Sequence, residues 1–464
     1  MTTFALFFGN RGFFPGEPIY SARKELAETL KKNGYGVLMM DEKCTHFGAV
    51  ETIAEGKLYA EFLDKHRGEY QGIILCLPNF GDENGAYYAL KEAAVPILVV
   101  ACADERGKMD FAHRRDSLCG KIAMCNVLRQ AGIRYTLTHD FTVGFSDMSF
   151  TEDLRLFAGT CRVVEAFRSF SIGEIGARTT AFKTVRTDET ALQRKGITVE
   201  TIDFSQIFAL MDSADCKEIE RKSQHYAELS DFGKFPKEKL ENIARFGVAL
   251  DKLVADYSLD SVAIRCWDEL EKRYGVAPCL VLGDLNEKGI CAACETDVSN
   301  AVMMRALYFA ADCPVMLFDV NNNYGSDSDR VVLFHCGPAP KSLMAEKGHI
   351  EEHLMFKKSY GEGSGVGINV GEILRGKVTV GSLKTENGGL YSFACEGVIV
   401  DEPLEKEFFG CGMVFRKNGS SLRDMLNYMG RNGYRHHVAI TRGHWAESIR
   451  EAFENYLGIS IDTL

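Results

Sequence analysis

No segment of this chain is long and apolar enough to cross a bilayer: the longest apolar stretch, residues 93–103, contains Pro96 and falls short of the ~20 residues required. No leader is visible either. Met1, Thr2 and Thr3 run straight into strand-like sequence, so neither export nor membrane insertion is expected and a cytoplasmic location is. Positive charge is in deficit: 54 basic side chains face 65 acidic ones, a formal charge of −11, which argues against nucleic acid as the main partner. A small, locally recognised substrate fits better. A dense disulfide framework is also missing, because the 15 cysteines are scattered singly through strand-like and helix-like sequence, as reduced thiols are. Cys291 and Cys294 form the one CxxC pair, and without a second pair or a spaced histidine they read as small buried side chains rather than zinc ligands. Repeats of solenoid period and low-complexity tracts are absent as well.

What is present is a globular composition, 46% apolar and 26% charged over 464 residues, too long for one hydrophobic core. Residues 4–8, 36–40, 72–77 and 97–102 are short apolar runs separated by amphipathic stretches, the βαβ rhythm of a parallel sheet. The first helix is expected over 21–33, with Ser21 as its cap and Gly34 just past its end. A second α/β unit follows, with a long helix over 152–170, strands at 197–202, 261–266 and 290–294, and a helix opened by Pro236. Beyond Pro314 the β-like runs 331–335, 377–383, 390–400 and 412–416 predominate, ending in a helix-strand-helix segment over 420–457. The reading is therefore two doubly wound α/β domains, 1–150 and 151–315, and a β-rich, barrel-like domain, 316–464.

Two glycine-rich segments do not support nucleotide binding. Residues 361–367 precede a strand and lack the Lys-Ser/Thr ending that holds a triphosphate, so a mobile loop or tight turn is expected. Gly9-Asn10-Arg11-Gly12 follows the first strand, but Phe13, Phe14 and Pro15 come next, so no helix opens onto a pyrophosphate.

The chemistry-bearing residues are acids and histidines where strands end. Glu295 follows the run 290–294, and a helix starts near Asp297. Asp319 ends the run 315–318, before Asn321. His335 closes 331–334, and His436 and His437 open 438–441, with His444 and Trp445 beyond. Two carboxylates with one or two imidazoles make an oxygen/nitrogen donor set suited to Mn²⁺, Co²⁺ or Mg²⁺. Such an ion chelates two adjacent substrate oxygens, and the acids beside it move a proton between neighbouring carbons, which implies isomerisation of an α-hydroxy carbonyl. Singly, each residue has a structural reading: the acids as helix caps or ion-pair partners, His335 as a core histidine, and one of His436 and His437 turned away by strand alternation. Their joint occurrence carries the functional one.

At these residues the chain resembles the L-fucose isomerase and L-arabinose isomerase superfamily of metal-dependent aldose-ketose isomerases. The match rests on Cys294-Glu295-Thr296-Asp297-Val298, Phe318-Asp319-Val320-Asn321, Phe334-His335-Cys336-Gly337, and His436-His437-Val438-Ala439-Ile440 with Gly443-His444-Trp445. The resemblance implies that Glu295 and Asp319 bind the metal and transfer the proton, and that His437 is a ligand. His335 matches a further ligand of the arabinose branch. Asn321, His444 and Trp445 are expected at the substrate. Arg11, within the block from Gly9 to Glu17, matches a side chain presented to a neighbouring subunit's site, and the family precedent is a homo-oligomer, a hexamer built from trimers. The implied reaction interconverts an aldose and its 2-ketose through a cis-enediol, with Mn²⁺, Co²⁺ or Mg²⁺.

Asp319 stands where the arabinose branch has glutamate, which leans to the fucose branch, yet the chain is shorter than typical fucose isomerases. A divergent branch with another sugar follows. Arg11 suits an anionic substituent, as in a sulfo- or phospho-hexose such as sulfoquinovose, because guanidinium binds such groups through paired hydrogen bonds. A neutral hydroxyl contact or a subunit-interface ion pair are its alternatives. Two other functions share these features: a sugar-binding protein without the reaction, and a metal-dependent lyase or epimerase acting on a sugar acid.

Overall fold

The computed structural model describes residues 1–404 and 410–464, which form two compact units. The first comprises Met1–Glu165 with Glu451–Gly458, and the second Ala166–Arg450 with Ile459–Leu464.

In the first unit β1 (Thr3–Phe8), β2 (Gly36–Met39), β3 (Gly72–Leu77), β4 (Ile97–Ala101) and β5 (Thr136–Leu137) form a parallel sheet in the order β2-β1-β3-β4-β5. Period-two alternation divides its side chains between two cores. Phe4, Leu6 and Phe8 join one, while Ala5 and Phe7 join the other, which is why these strands read as continuous apolar runs. The first helix is Glu17–Lys32, so it starts earlier than Ser21. Pro18 sits in its first turn, where the missing N–H has no helical partner to lose, and Ser21 Oγ donates to the Pro18 carbonyl from within the helix. Gly34, at φ +81°, follows its end as expected. The segment Glu451–Leu457 braces the β5 edge: Tyr456 Oη lies 2.9 Å from Thr136 Oγ1, and Asn455 Nδ2 donates to the Tyr135 carbonyl at 2.8 Å.

The second unit contains a parallel sheet and an antiparallel barrel. The sheet, in the order β10-β9-β6-β7, is made of β6 (Phe170–Ile175), β7 (Ile197–Ile202), β9 (Ser261–Ile264) and β10 (Cys291–Cys294). The helix expected over 152–170 is Met148–Ala166, and Phe170 opens β6 instead. A small sheet joins β8 (Ser230–Asp231), β13 (Gly348–Glu352) and β14 (Val366–Val370). The barrel strands are β11 (Val315–Asn323), β12 (Arg330–His335), β15 (Gly376–Glu386), β16 (Gly389–Ile399), β17 (Cys411–Lys417) and β18 (His437–Arg442). They run in the order β15-β18-β11-β12-β17-β16, and the β15–β16 pairing closes the ring around Phe318, Leu333, Val380, Phe393 and Phe415. Outside it, β19 (Ser460–Thr463) pairs in parallel with β16. Parallel α/β sheets followed by a β-barrel are the fold class expected from the sequence.

In the glycine-rich segment, residues 361–365 form a turn and 366–367 open β14. Glu352 Oε1 accepts from the backbone N–H of Gly363 and of Ser364, so the chain's own carboxylate takes the donors a phosphate would need. All 15 cysteines are free thiols. Among the described residues no helix is long and apolar enough to cross a membrane.

Candidate functional site

Glu295 stands at the carboxyl end of β10, where the chain leaves the parallel sheet for the helix Val298–Ala311. Glu295 and Thr296 both adopt left-handed backbone, φ 60° and 61°, a conformation that is costly for a β-branched threonine. Such strain persists only where the surroundings impose it. Here Thr296 N–H donates to the Ile264 carbonyl and Asp297 N–H to the Cys294 carbonyl, each at 3.1 Å.

Asp319 lies in the barrel, directly opposite His437 in the β11–β18 register and opposite Phe334 in the β11–β12 register. A bulge follows at once between Val320 and Asn322, leaving Asn321 as an exposed extra residue beside Asp319. His437 is the first residue of β18, so His436 precedes the pleat and the expected alternation does not separate the pair. Their rings lie 4.5 Å apart, and their Nε2 atoms are 3.7 Å (His436) and 3.4 Å (His437) from Asp319 Oδ1. His437 Nε2 is also 2.9 Å from Glu295 Oε2.

The other ring nitrogen of His437 is fixed. Nδ1 lies 2.8 Å from Asp297 Oδ2, and Asp297, fully buried, also accepts from Arg435 Nη1 and Asn300 Nδ2. Burial opposes ionisation of Asp297, but Arg435 and His437 outweigh it and hold the carboxyl far below its usual range. An ionised carboxylate only accepts, so Nδ1 carries the proton and Nε2 faces Glu295 and Asp319. Burial also disfavours charge on His437 itself, yet the hydrogen bonds and charges of Asp297 and Glu295 push its pKa up to about 10. Glu295 responds in the opposite sense: burial raises it, and His437, with His335 and His436, brings it below the ordinary carboxylate value.

The cluster therefore calls for positive charge. Among the described residues Asp319 Oδ1 is a buried atom without a hydrogen bond, and Asp319, His436 and His437 each offer a ligand atom within 4.8 Å of the others. Oxygen and imidazole donors, with a second carboxylate orienting the histidine from behind, fit a divalent cation of the Mn²⁺, Co²⁺ or Mg²⁺ kind.

His335, 4% exposed, ends β12 with its ring 6.3 Å from that of His437. Phe182 gave no signal in the sequence, yet it packs 5.5 Å from His436 and 5.7 Å from His437, with Trp267 5.9 Å beyond. Phe182 thus offers the imidazoles an apolar face, while His436 stays partly exposed. Arg435 was also missed, although it directly precedes the histidine pair.

Two expected residues are not part of this cluster. His444 and Trp445 lie past the far end of β18, a strand whose six residues span roughly 20 Å at 3.3 Å each. There His444 Nδ1 lies 3.2 Å from Glu396 Oε2, and Trp445 Nε1 donates to the Arg442 carbonyl. Arg11 belongs to the first unit, just past β1. Its Nε donates to the Gly81 carbonyl, an Nη lies 3.4 Å from Glu83 Oε1, and the guanidinium rests 4.0 Å over the Phe80 ring.

Residues 5–168 match the family model described as fucose/sulfoquinovose isomerase, N-terminal domain, and residues 333–464 the one described as L-fucose isomerase, C-terminal domain. A sulfoquinovose isomerase from Priestia aryabhattai is 24% identical over 399 residues, covering 84% of this chain and 85% of its own length. Another, from Alkalicoccus urumqiensis, is 24% identical over 304 residues, covering 63% of this chain and 66% of its own length. A third, from Clostridium sp. (strain MSTE9), is 22% identical over 341 residues, covering 71% and 72%.

Proposed function

Because the chain belongs to the L-fucose isomerase superfamily, in a divergent branch, and is thereby an aldose-ketose isomerase, we propose that it interconverts sulfoquinovose and its 2-ketose in a divalent-metal-dependent reaction. The observation that carries the chemistry is the convergence of Glu295, Asp319 and His437 Nε2 on one point. The sugar is taken from the relatives named as sulfoquinovose isomerases.

Converting an aldose to a 2-ketose moves one proton from C2 to C1 and another from O2 to O1. Glu295 and Asp319 are two carboxylates able to take the C2 proton and return it to C1, by way of a cis-enediol. Held below its usual range, Glu295 is ionised at neutral pH and ready to accept a proton. Glu295, Asp319 and His437, with His436 beside them, would hold the cation, which when bound supplies Lewis-acid stabilisation of negative charge on neighbouring substrate oxygens. Asp297 and Arg435 keep the His437 ring in place, and Phe182 packs an apolar face against both imidazoles.

The test offers sulfoquinovose, glucose 6-phosphate, L-fucose and L-arabinose to chelator-treated protein with and without Mn²⁺, and follows ketose formation by NMR in D₂O. We expect turnover of sulfoquinovose that requires Mn²⁺, with deuterium entering C1 of the ketose. Turnover of a neutral sugar in preference to sulfoquinovose overturns the substrate assignment, and complete internal transfer without exchange overturns the enediol route in favour of a hydride shift.

A further inference from the structure

The two buried histidines at the site, His335 and His437, use their ring nitrogens in opposite senses. His437 has the arrangement of a metal-binding imidazole: Nδ1 donates to a buried carboxylate, and Nε2, facing Glu295 and Asp319, is the nitrogen at which a cation would replace a proton. In His335, by contrast, Nδ1 accepts the backbone N–H of Cys336 at 2.9 Å. Its Nδ1 lone pair is therefore engaged, and the ring proton resides on Nε2. Giving up the Nε2 proton to a metal would leave His335 an imidazolate, whereas His437 would keep its Nδ1 proton on Asp297 and stay a neutral ligand. Among the described residues His335 Nε2 is nonetheless buried and without a hydrogen bond. A buried donor left unpaired costs stability unless a ligand satisfies it.

We propose that His335 is a substrate-contacting hydrogen-bond donor rather than a metal ligand, its Nε2–H directed to a sugar oxygen on which negative charge grows as the carbon-bound proton leaves. The proposal rests on the isomerase reading above and departs from the ligand role implied by the resemblance to the arabinose branch. Such a donor, positioned before the reaction and shielded from water, stabilises the charge-separated state more than the ground state. Cys336 is then a positioning residue through its backbone, because its N–H selects the tautomer. Gly337, which follows at φ +138°, turns the chain away immediately, and a Cβ there would meet the Asn369 backbone at 2.5 Å.

The test compares His335→Ala, His335→Gln and His437→Ala in the full chain. Glutamine places an amide N–H near the position of imidazole Nε2, so it keeps the donor while removing the ring. Mn²⁺ affinity is read by titration calorimetry on chelator-treated protein. We expect both His335 variants to stay within about tenfold of the unaltered protein and His437→Ala to lose more than that, since even outer partners of a metal site are worth about 10–100-fold. Turnover should fall about 10²–10³-fold in His335→Ala, the cost of one lost oxyanion donor, and recover at least about tenfold in His335→Gln. A His335 variant that loses more than about tenfold in Mn²⁺ affinity overturns the proposal. So does a His335→Gln enzyme no faster than His335→Ala. If the alanine variant does not fold, the Mn²⁺ affinity of the glutamine variant decides alone. Failure of the isomerase reading is seen separately, as an unaltered protein that binds Mn²⁺ and forms no ketose from any of the aldoses.

Discussion

One carboxylate, Asp297, serves two purposes. As the cap of the helix Val298–Ala311 it accepts from Asn300 N–H, and with its other oxygen it orients His437. The two roles separate in Asp297→Asn, because asparagine caps a helix as well as aspartate but carries no charge. That variant should keep its helical circular dichroism while Mn²⁺ affinity falls about 10–100-fold by calorimetry; unchanged affinity would deny Asp297 a place behind His437. Glu295→Gln and Asp319→Asn should each lower ketose formation by at least about 10²–10⁴-fold with the fold intact, as loss of a proton-transfer group does. Near-normal turnover in either would remove it from the reaction. Glu295, Asp319 and His437 were legible in the sequence because each is a charged or titratable residue breaking an apolar run. Asp297 was legible only as a helix start. Phe182 looks like any other aromatic residue until the fold sets it against the histidines.

Among the elements, strands were read more accurately than helix ends. The span of β3 matches the expected run, since both its faces are buried and every position is apolar. The helix Glu17–Lys32 begins ahead of Ser21, a good capping residue by type, because Pro18 sets the first turn. The strand β6 was hidden at the end of a helical pattern, because Phe170 follows Ala166 with helical spacing although the chain has already changed conformation. One short element, the helix Glu269–Tyr274, is expected to make stability depend on pH. Glu271 is 2% exposed, and burial, only partly offset by backbone N–H groups of its own residue and of Asp268, pushes its pKa up to about 8. A raised folded-state pKa means stability that is complete below the ordinary value of 4.5 and lost as pH climbs through about 8. In melts from pH 5 to 9, Glu271→Gln should therefore gain Tm relative to the unaltered protein, with the gap widening as pH rises. A gap that stays constant would mean Glu271 does not titrate in that range.

For the molecule as a whole, the order of α/β sheets followed by a barrel was legible from apolar runs and their spacing, whereas the return of the chain to its first unit was not. A short segment such as 451–458, mixing apolar and polar residues, carries no pattern that says which sheet it will brace. All the residues assigned to the cation lie within Ala166–Arg450. Hydrogen exchange with and without Mn²⁺ should accordingly show increased protection in peptides from that span and little change in Met1–Glu165. Equal gains in both units would contradict a site confined to one. The bracing of β5 by Glu451–Leu457 also bears on biosynthesis. At roughly 5–20 residues per second, the ribosome takes about 15–60 s to travel from Glu165 to Glu451. During that interval the nascent first unit has its sheet but lacks the side chains of Asn455 and Tyr456, so the part of the protein made first is among the last to be completed.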